Sequence, residues 1–563
     1  MAGVTDYDNP LIVQSDQTVL LEVASPKAAD ARAALARFAE LEKSPEHVHT
    51  YRLTPLSLWN AASAGVDADA VADTLTGYAK YPVPDAVLVG VRDQMNRYGR
   101  LRIVRDFDAG ALALTTAEPA LLAEVVRDRA VAALLGERLD GNRYAVRLGD
   151  RGPLKQALLR LGWPAADEAG YVEGDALEVP LTCTLRTYQS EAVAAWWADG
   201  SAAGGNGVLV LPCGAGKTVI GLAAMAQAGV STLIVATSIL AARQWIGELR
   251  AKTGLDPELV GEYSGERKQI RPVTVATYQV LTWRDPGAAD DAELGVLHPH
   301  LGLFDAQQWG LVVYDEVHLL PAPVFRATAQ IQAVRRLGLT ATLVREDGKE
   351  PDVFSLIGPK RYDAPWRELE AQGWIAPASC TEIRVELGDD LRMTYATAPQ
   401  QARYRIAACA PAKLAVLDAL VARHAGDRVL VIGQYLDQLR AVAERLAAPL
   451  VTGQTSQAVR EERFGDFRDG RLPLLVVSKV ANFSIDLPEA NVAVQLSGTF
   501  GSRQEEAQRL GRILRPKSDG GQARFYSVVA RETVDQTYAA NRQRFLTEQG
   551  YAYTILDADE VVV

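Results

Sequence analysis

GVLVLPCGAGKTVIGLAAMAQA, residues 207–228, joins a strand pattern, a glycine-rich turn and a helix pattern without a break. The run GVLVLPC has the Val/Leu density of a parallel strand covered on both faces. VIGLAAMAQA is rich in helix formers. Between them, LPCGAGKT (211–218) keeps the core of a phosphate loop as Gly214, Gly216, Lys217 and Thr218, with Cys213 and Ala215 completing the turn. Leu211 stands where the full GxxxxGK[ST] spacing has its first glycine. The glycines let backbone N–H groups turn inward around a phosphate, and the following helix N-terminus adds partial positive charge. Lys217 then supplies a point charge for β- and γ-phosphates, and Thr218 offers a hydroxyl to Mg²⁺.

Outward from this loop the strand pattern recurs. TLIVAT (232–237), VTVATY (273–278) and LVVYDE (311–316) are similar Val/Leu/Ile runs separated by helix patterns. A second set follows as RVLVIGQ (428–434), PLLVVSK (473–479), VAVQLS (492–497) and RFYSVV (524–529). The expected fold class is therefore α/β, with two tandem parallel-sheet lobes and N-terminal accessory domains. The expected boundaries are 1–99, 100–177, 178–364, 365–410 as a connecting region, and 411–563. Residues 284–310 read as a loop insertion with little chemistry.

The first 99 residues open on a hairpin pattern, PLIVQSDQTVLLEV. A helix is expected over SPKAADARAALARFAELEK, with Ser25 as cap and Pro26 at the first helical position. Thr54 with Pro55, the stretch Asp67–Tyr78, and VPDAVLVGVRDQMNRYG give three more helices. This module reads either as a winged-helix DNA binder or as a packing and partner-docking domain. Residues 100–174 alternate strand and helix patterns, as in an α+β domain. Arg127, Arg129, Arg147, Arg151, Lys155 and Arg160 are expected on its surface, facing DNA or solvent.

Composition narrows the class. At roughly 100–200 residues per domain, 563 residues make about three to five domains. Hydrophobic residues are 48% and charged residues 23%, which excludes a disordered chain. Lys+Arg total 59 against 70 Asp+Glu, a net charge of −11. That excludes a globally basic coat but leaves room for a basic groove. Cys183, Cys213, Cys380 and Cys409 form no CxxC pair, so no zinc knuckle, iron–sulfur site or disulfide framework is expected. No run approaches the roughly 18 apolar residues of a membrane span, and MAGVTDYDNP lacks a signal core. A bacterial cytoplasmic protein without membrane partners is expected.

Further motifs carry chemistry. In LVVYDEVHLL, Asp315 and Glu316 close a buried-strand pattern. Asp315 at the strand end suits the Mg²⁺ shell, and Glu316 suits polarisation of an attacking water. His318 reads either as a contact to the next motif or as a packing histidine. That motif is LGLTATLVRED, where Thr340 and Thr342 can hydrogen-bond towards the acidic pair. Arg345, Glu346 and Asp347 directly behind it read, on physics alone, as a solvated loop. SRQEEAQRLGRILRPK gives Gln508, Gly511, Arg512 and Arg515. Residues three apart share a helical face, so both guanidiniums can serve as arginine fingers towards a γ-phosphate. Ser478, Lys479 and Asp486 in SKVANFSIDLPEA suit a loop sensing nucleotide and DNA phosphates. In LRTYQSEAVAAWW, the Gln189 amide can donate to and accept from an adenine edge, with Arg186 and Tyr188 flanking the base.

These motifs, in this order, resemble the superfamily two helicases. LRTYQ, CGAGKT, DEVHLLPA, LGLTATLVRED, LIGPK, GQTSQ, SKVANFSIDLPEAN and GSRQEEAQRLGRILRPK resemble more closely the xeroderma pigmentosum group B (XPB) DNA repair helicases, over residues 180 to 545. The N-terminal hairpin is similar to the bacterial members. The resemblance implies two RecA-like lobes with ATP and Mg²⁺ in the cleft, and DNA-dependent ATP hydrolysis driving 3′→5′ movement. It implies a strand-opening role for Arg345–Glu346–Asp347, a thumb-like element at 386–410 carrying Arg392, Arg403 and Arg405, and a damage-recognition domain at 100–175. Thr237, Ser238, Gln244, Thr277, Tyr278, Ser456 and Gln457 are the further candidates for phosphate contact, which predicts little sequence preference and a marked salt dependence. The partner expected is forked or partly single-stranded DNA, with a nuclease as a possible protein partner and a monomeric chain. A duplex translocase without strand separation, an ATP-regulated scaffold for a nuclease or transcription partner, and an RNA substrate remain as rival readings.

Overall fold

The structure is a computed structural model that describes residues 6–43, 47–106, 111–212, 214–289, 292, 294–331, 334–341, 350–364, 369, 374, 378–478, 490–498, 523–548 and 553–562. The chain forms two compact units. One holds Met1–Glu40, Tyr51–Leu211 and Gly216–Ala364; the other holds Leu41–Thr50, Pro212–Ala215 and Pro365–Val563.

In the first unit the N-terminal hairpin forms as expected. β1 (Leu11–Val13) and β2 (Thr18–Glu22) pair antiparallel, with Leu11 opposite Leu21 and Val13 opposite Val19. The next helix is shorter than its alanines suggest. It spans Ala28–Leu35, and no side chain caps it. Ser25 instead accepts from the Lys27 N–H and donates to the Asp8 carbonyl. The ELEK end of the expected helix is strand β3 (Glu40–Lys43), followed by β4 (Val48–Arg52). Helices Pro55–Ser63, Ala68–Tyr78 and Asp85–Arg97 follow. Thr54 caps the first reciprocally: its Oγ1 accepts from the Ser57 N–H at 3.0 Å, and the Ser57 Oγ accepts from the Thr54 N–H at 3.1 Å.

The α+β region builds a sheet in the order β7-β6-β5-β8 from β5 (Leu101–Asp106), β6 (Ala111–Thr115), β7 (Arg143–Val146) and β8 (Ala165–Glu168). β8 carries no apolar run, since AADE is half polar. Two of the charges expected on the surface are in the core. Arg151 and Lys155, on helix Arg151–Arg160, are only 1% and 7% exposed. Both hold the Asp167 carboxylate of β8, Arg151 at 2.7 Å and Lys155 at 3.0 Å. Helical spacing of i and i+4 aims both cations at one acceptor, and a buried carboxylate that is paired twice is retained where a lone one would not be.

The central sheet of this unit comprises β9 (Asn206–Val210), β10 (Thr232–Ala236), β11 (Val260–Tyr263), β12 (Val273–Thr277), β13 (Leu311–Asp315), β14 (Arg335–Thr340) and β15 (Lys360–Asp363). Among the described residues its order is β11-β12-β10-β13-β14-β9-β15, with every pairing parallel. Every residue of β9, β10 and β12 is buried, as strands sandwiched by helices must be. The stretch 284–310 is not an idle loop: Leu301, Leu303, Phe304 and Trp309 sit in the core, and the Trp309 indole donates to the Leu303 carbonyl at 2.9 Å.

The edge strand β15 ties the accessory elements to this sheet. The Arg361 guanidinium donates to the Ala203 carbonyl at 2.6 Å, to the Asn206 carbonyl at 3.0 Å and to the Ser63 carbonyl at 3.4 Å. The Lys360 N–H donates to Asn60 Oδ1 at 3.0 Å, and Gln156 Nε2 to Asp352 Oδ1 at 2.8 Å. Trp59, Leu159 and Phe354, one from each region, pack together.

The second unit carries another parallel sheet. It comprises β16 (Ala378–Val385), β17 (Val429–Gly433), β18 (Leu450–Val451), β19 (Leu474–Ser478), β20 (Val492–Gln495), β21 (Ala523–Ala530) and β22 (Tyr553–Asp557). Among the described residues the order is β18-β19-β17-β20-β21-β16-β22. β16 corrects the sequence reading, which left 365–410 as a connection. It pairs in parallel with β21 over its whole length and with β22 on its other side. Its Glu382 and Arg384 hide it from a search for apolar runs. Glu382 is buried yet satisfied, accepting from Arg384 Nε at 2.7 Å and from the Gln543 amide. Helices Asp389–Thr397 and Gln400–Ala408 follow, where the thumb-like element was expected.

Candidate active site

Three neighbouring strands of the first sheet, β13, β14 and β9, end on the same edge. Ligands of open parallel sheets bind at such carboxyl ends. β9 is extended by one residue, as the Leu211 N–H donates to the Thr340 carbonyl at 2.9 Å. The chain then turns through Gly214 at φ +87° and Gly216 at φ +76° into helix Lys217–Ala228. Gly216 is required twice. Its φ is left-handed, and a Cβ there would lie 2.7 Å from Gln189 Nε2.

Gln189 is buried on helix Thr187–Trp197, and its Oε1 accepts from the Arg186 N–H at 2.9 Å. Its carbonyl oxygen thus already accepts one bond from its own backbone, and the amide nitrogen lies over the glycine turn. The Arg186 guanidinium donates to the Tyr188 hydroxyl at 3.2 Å. Burial raises the Tyr188 phenol pKa, so it stays protonated as a donor.

Lys217 Nζ reaches across the end of β14 to Glu316 Oε1 at 2.8 Å. Glu316 follows β13 at φ +47°, a left-handed conformation uncommon for glutamate. Burial works to raise its pKa, but the Lys217 charge, then His318 and the Ala341 N–H outweigh this and hold it below the usual range. His318 resolves as a contact to the next motif. It is buried, its Nδ1 shares a 2.7 Å hydrogen bond with Thr340 Oγ1, and it lies 3.5 Å from Glu316 Oε2. The acidic motif and the Thr340 motif thus meet through one imidazole.

Asp315 behaves oppositely. Burial, then the adjacent Glu316 charge, push its carboxyl up to about 6. Its Oδ2 accepts from Trp245 Nε1 at 3.0 Å, and its carbonyl accepts from the Tyr278 hydroxyl at 3.0 Å. Trp245 is a residue the sequence reading missed. It is buried on helix Ile239–Lys252, and its ring lies so close to Gly221 that a Cβ there would meet Cη2 at 2.5 Å. Two adjacent carboxylates share one lysine at this sheet edge, so the site carries excess negative charge. That donor set fits Mg²⁺, which binds through one or two carboxylates plus phosphates and water rather than an all-protein cage. Among the described residues no group of three or more His, Cys, Asp or Glu could hold a metal alone.

The remaining candidates fall into four groups. Thr237 is half-buried at the end of β10, and Gln244 and Ser456 are exposed. Thr277 and Ser478 are buried, and Thr277 spends its hydroxyl accepting from the Val280 N–H at 3.3 Å. Arg392 and Arg405 are ion-paired with Glu386 and Asp437, and Arg403 donates to the Ala396 and Ala398 carbonyls. Cys213, Thr342, Arg345, Glu346, Asp347, Lys479, Asp486, Gln508, Arg512 and Arg515 lie outside the described residues.

Known proteins share this arrangement of motifs. Residues 369–562 match the ERCC3/RAD25/XPB C-terminal helicase family, and residues 182–345 match the type III restriction enzyme res subunit. Residues 11–140 match a helicase conserved C-terminal domain. A DNA 3'-5' helicase XPB of Kineococcus radiotolerans is 60% identical over 557 residues, covering 98% of this chain and 97% of that protein. This chain belongs to the XPB helicase family. The XPB helicase of Mycobacterium tuberculosis is 58% identical over 99% of both chains. An XPB subunit of general transcription and DNA repair factor IIH from Antonospora locustae, named a helicase/translocase, is 32% identical over 98% of this chain and 82% of that one. The similarity to these XPB proteins reaches through the accessory regions, beyond the motifs that first suggested the family. Among the described residues no helix is long and apolar enough to cross a membrane.

Proposed function

We propose that this chain is a DNA 3′→5′ helicase that couples Mg²⁺-dependent ATP hydrolysis to movement along DNA in repair. The observation that carries the reading is the Lys217–Glu316 pair beside Asp315 at the mouth of the phosphate loop. Lys217 holds the β- and γ-phosphates, and Gly214 to Thr218 wrap them with backbone N–H groups. Thr218 and Asp315 would hold Mg²⁺, which supplies charge neutralisation at the phosphates when bound. Glu316, kept ionised by Lys217 and His318, accepts the proton of the attacking water. Thr340 and His318 tie its position to β14, whose continuation leads to Arg345–Glu346–Asp347. Arg512 and Arg515 complete the charge around the γ-phosphate, and Gln508, Asp486, Lys479 and Ser478 serve coupling on the second unit. Residues 1–99 form an accessory domain, 100–177 a domain like the damage-recognition one, 178–364 one lobe, β16 with 411–563 the other, and 386–410 the thumb-like element.

The test is turnover and strand displacement on forked, blunt and bubble DNA with RNA controls. DNA-stimulated ATPase with unwinding from the 3′ side is expected. Turnover indifferent to DNA refutes the reading. Duplex translocation without strand separation is a second reading, favoured by the relative from Antonospora locustae that is named a helicase/translocase. Triplex displacement without unwinding would establish it.

A further inference from the structure

We propose that Trp283 is a stacking platform for an unpaired nucleobase of the DNA strand, a contact outside every motif used so far. It rests on the reading of the chain as a DNA motor. Trp283 follows the helix Tyr278–Leu281, which starts at Thr277 on the carboxyl end of β12. Tyr263 ends the adjacent strand β11, in register with Ala276. The two aromatics therefore sit on the same sheet edge as the phosphate loop.

His300, from the 284–310 stretch, joins them. Its ring centroid is 5.7 Å from Trp283 and 5.7 Å from Tyr263, and its Nδ1 hydrogen-bonds the Tyr263 hydroxyl at 2.8 Å. Burial and the nearby Lys268 charge lower the His300 pKa, which favours the uncharged ring. His298 Nδ1 fixes the backbone, lying 3.0 Å from the Thr282 carbonyl and 3.3 Å from that of Trp283. The Asp285 N–H adds a bond to the Leu297 carbonyl at 3.0 Å. The indole is thus propped from one side on a fixed support, yet the residue is 47% exposed.

An exposed tryptophan held rigidly is what single-strand binders use. Every base has a π face, so stacking tolerates any sequence. The surroundings supply phosphate charge: Arg267 and Lys268, in the loop after Tyr263, are exposed, and Lys268 Nζ stands 5.1 Å from the Tyr263 ring centroid. On that side Glu262 and Glu266 share the single charge of Arg243, which leaves one negative charge against the two cations. Asp285 accepts from the Gly287 N–H. Aromatic and cationic groups together match a single strand better than a duplex, whose bases are already stacked.

The test compares parental protein with Trp283→Ala and Trp283→Phe. It measures affinity by fluorescence anisotropy, and half-saturation of ATPase stimulation, on a single-stranded oligonucleotide and on its abasic counterpart. Trp283→Ala should weaken binding to the base-bearing strand about tenfold, in the range alanine substitution costs at such platforms. Trp283→Phe should recover most of the loss, and the abasic strand should bind all three proteins alike. Equal affinity of Trp283→Ala and parental protein for the base-bearing strand overturns the proposal, and so does an equal loss on the abasic strand. A parental protein that DNA does not stimulate removes the motor reading as well, so the two failures are distinguishable.

Discussion

Trp245→Phe isolates one hydrogen bond at the catalytic edge. The indole N–H donates to Asp315 Oδ2 at 3.0 Å from a buried position. A hydrogen bond to a charged group contributes about 1.5–3 kcal/mol, or about 10- to 150-fold in an equilibrium constant. Phenylalanine removes the donor and keeps an aromatic ring. Packing lost against Gly221 registers in thermal stability, whereas the lost bond falls on the charged form of Asp315. That carboxyl already sits at about 6, because burial and Glu316 oppose its ionisation. Without the indole its pKa rises further, and a cation must compete with a proton at higher pH. The variant should therefore need about tenfold more Mg²⁺ for half-maximal ATPase, and the acid limb of its pH profile should move up. Nucleotide affinity measured without Mg²⁺ should stay near parental. An unchanged Mg²⁺ requirement and an unchanged acid limb in a folded variant would refute the reasoning.

Lys217→Ala should abolish DNA-stimulated ATPase, and Glu316→Gln should do so while retaining nucleotide; turnover assays with equilibrium binding separate the two. Gly216→Ala places a methyl 2.7 Å from Gln189 Nε2 in a left-handed conformation, so nucleotide affinity should fall in a titration with a fluorescent analogue. Asp167→Asn leaves Arg151 and Lys155 buried without their carboxylate, at a cost of about 3–5 kcal/mol read from denaturant unfolding. A second change, Lys155→Met, should recover part of that loss. Asp167 is held well below its ordinary value by Lys155 and Arg151 against the effect of burial. Its stabilisation is therefore complete above about pH 4 and is lost as pH falls towards the folded-state value, a slope that Asp167→Asn should abolish.

The candidate site's edge was legible because a phosphate loop and an acidic pair call for fixed residue types on adjacent strand ends. Gly214, Gly216, Lys217, Asp315 and Glu316 lie within one turn of such an end, and the order of strands was not needed to pair them. His318 and Thr340 could be suspected for the same reason. Trp245 could not. It reaches Asp315 from a helix two strands away, and nothing local in ARQWIGEL marks an indole as a carboxylate partner. The sign that existed was Gly221, a glycine inside a helix, which marked a close approach without naming its source. β16 was missed because a buried carboxylate with two partners reads as polar, and Arg151 and Lys155 because a charged residue reads as exposed until its partner is known. Each of these depends on a contact distant in sequence, which periodicity cannot report.

The contact between Lys217 and Glu316 has a further consequence. The ammonium and the carboxylate hold each other at 2.8 Å, so each is the other's partner. On the proposed function, an incoming triphosphate would compete for the ammonium, and drawing it away would release the carboxylate oxygen as fuel is seated. Loading and cocking would then be a single event, and an unloaded engine would have its safety on.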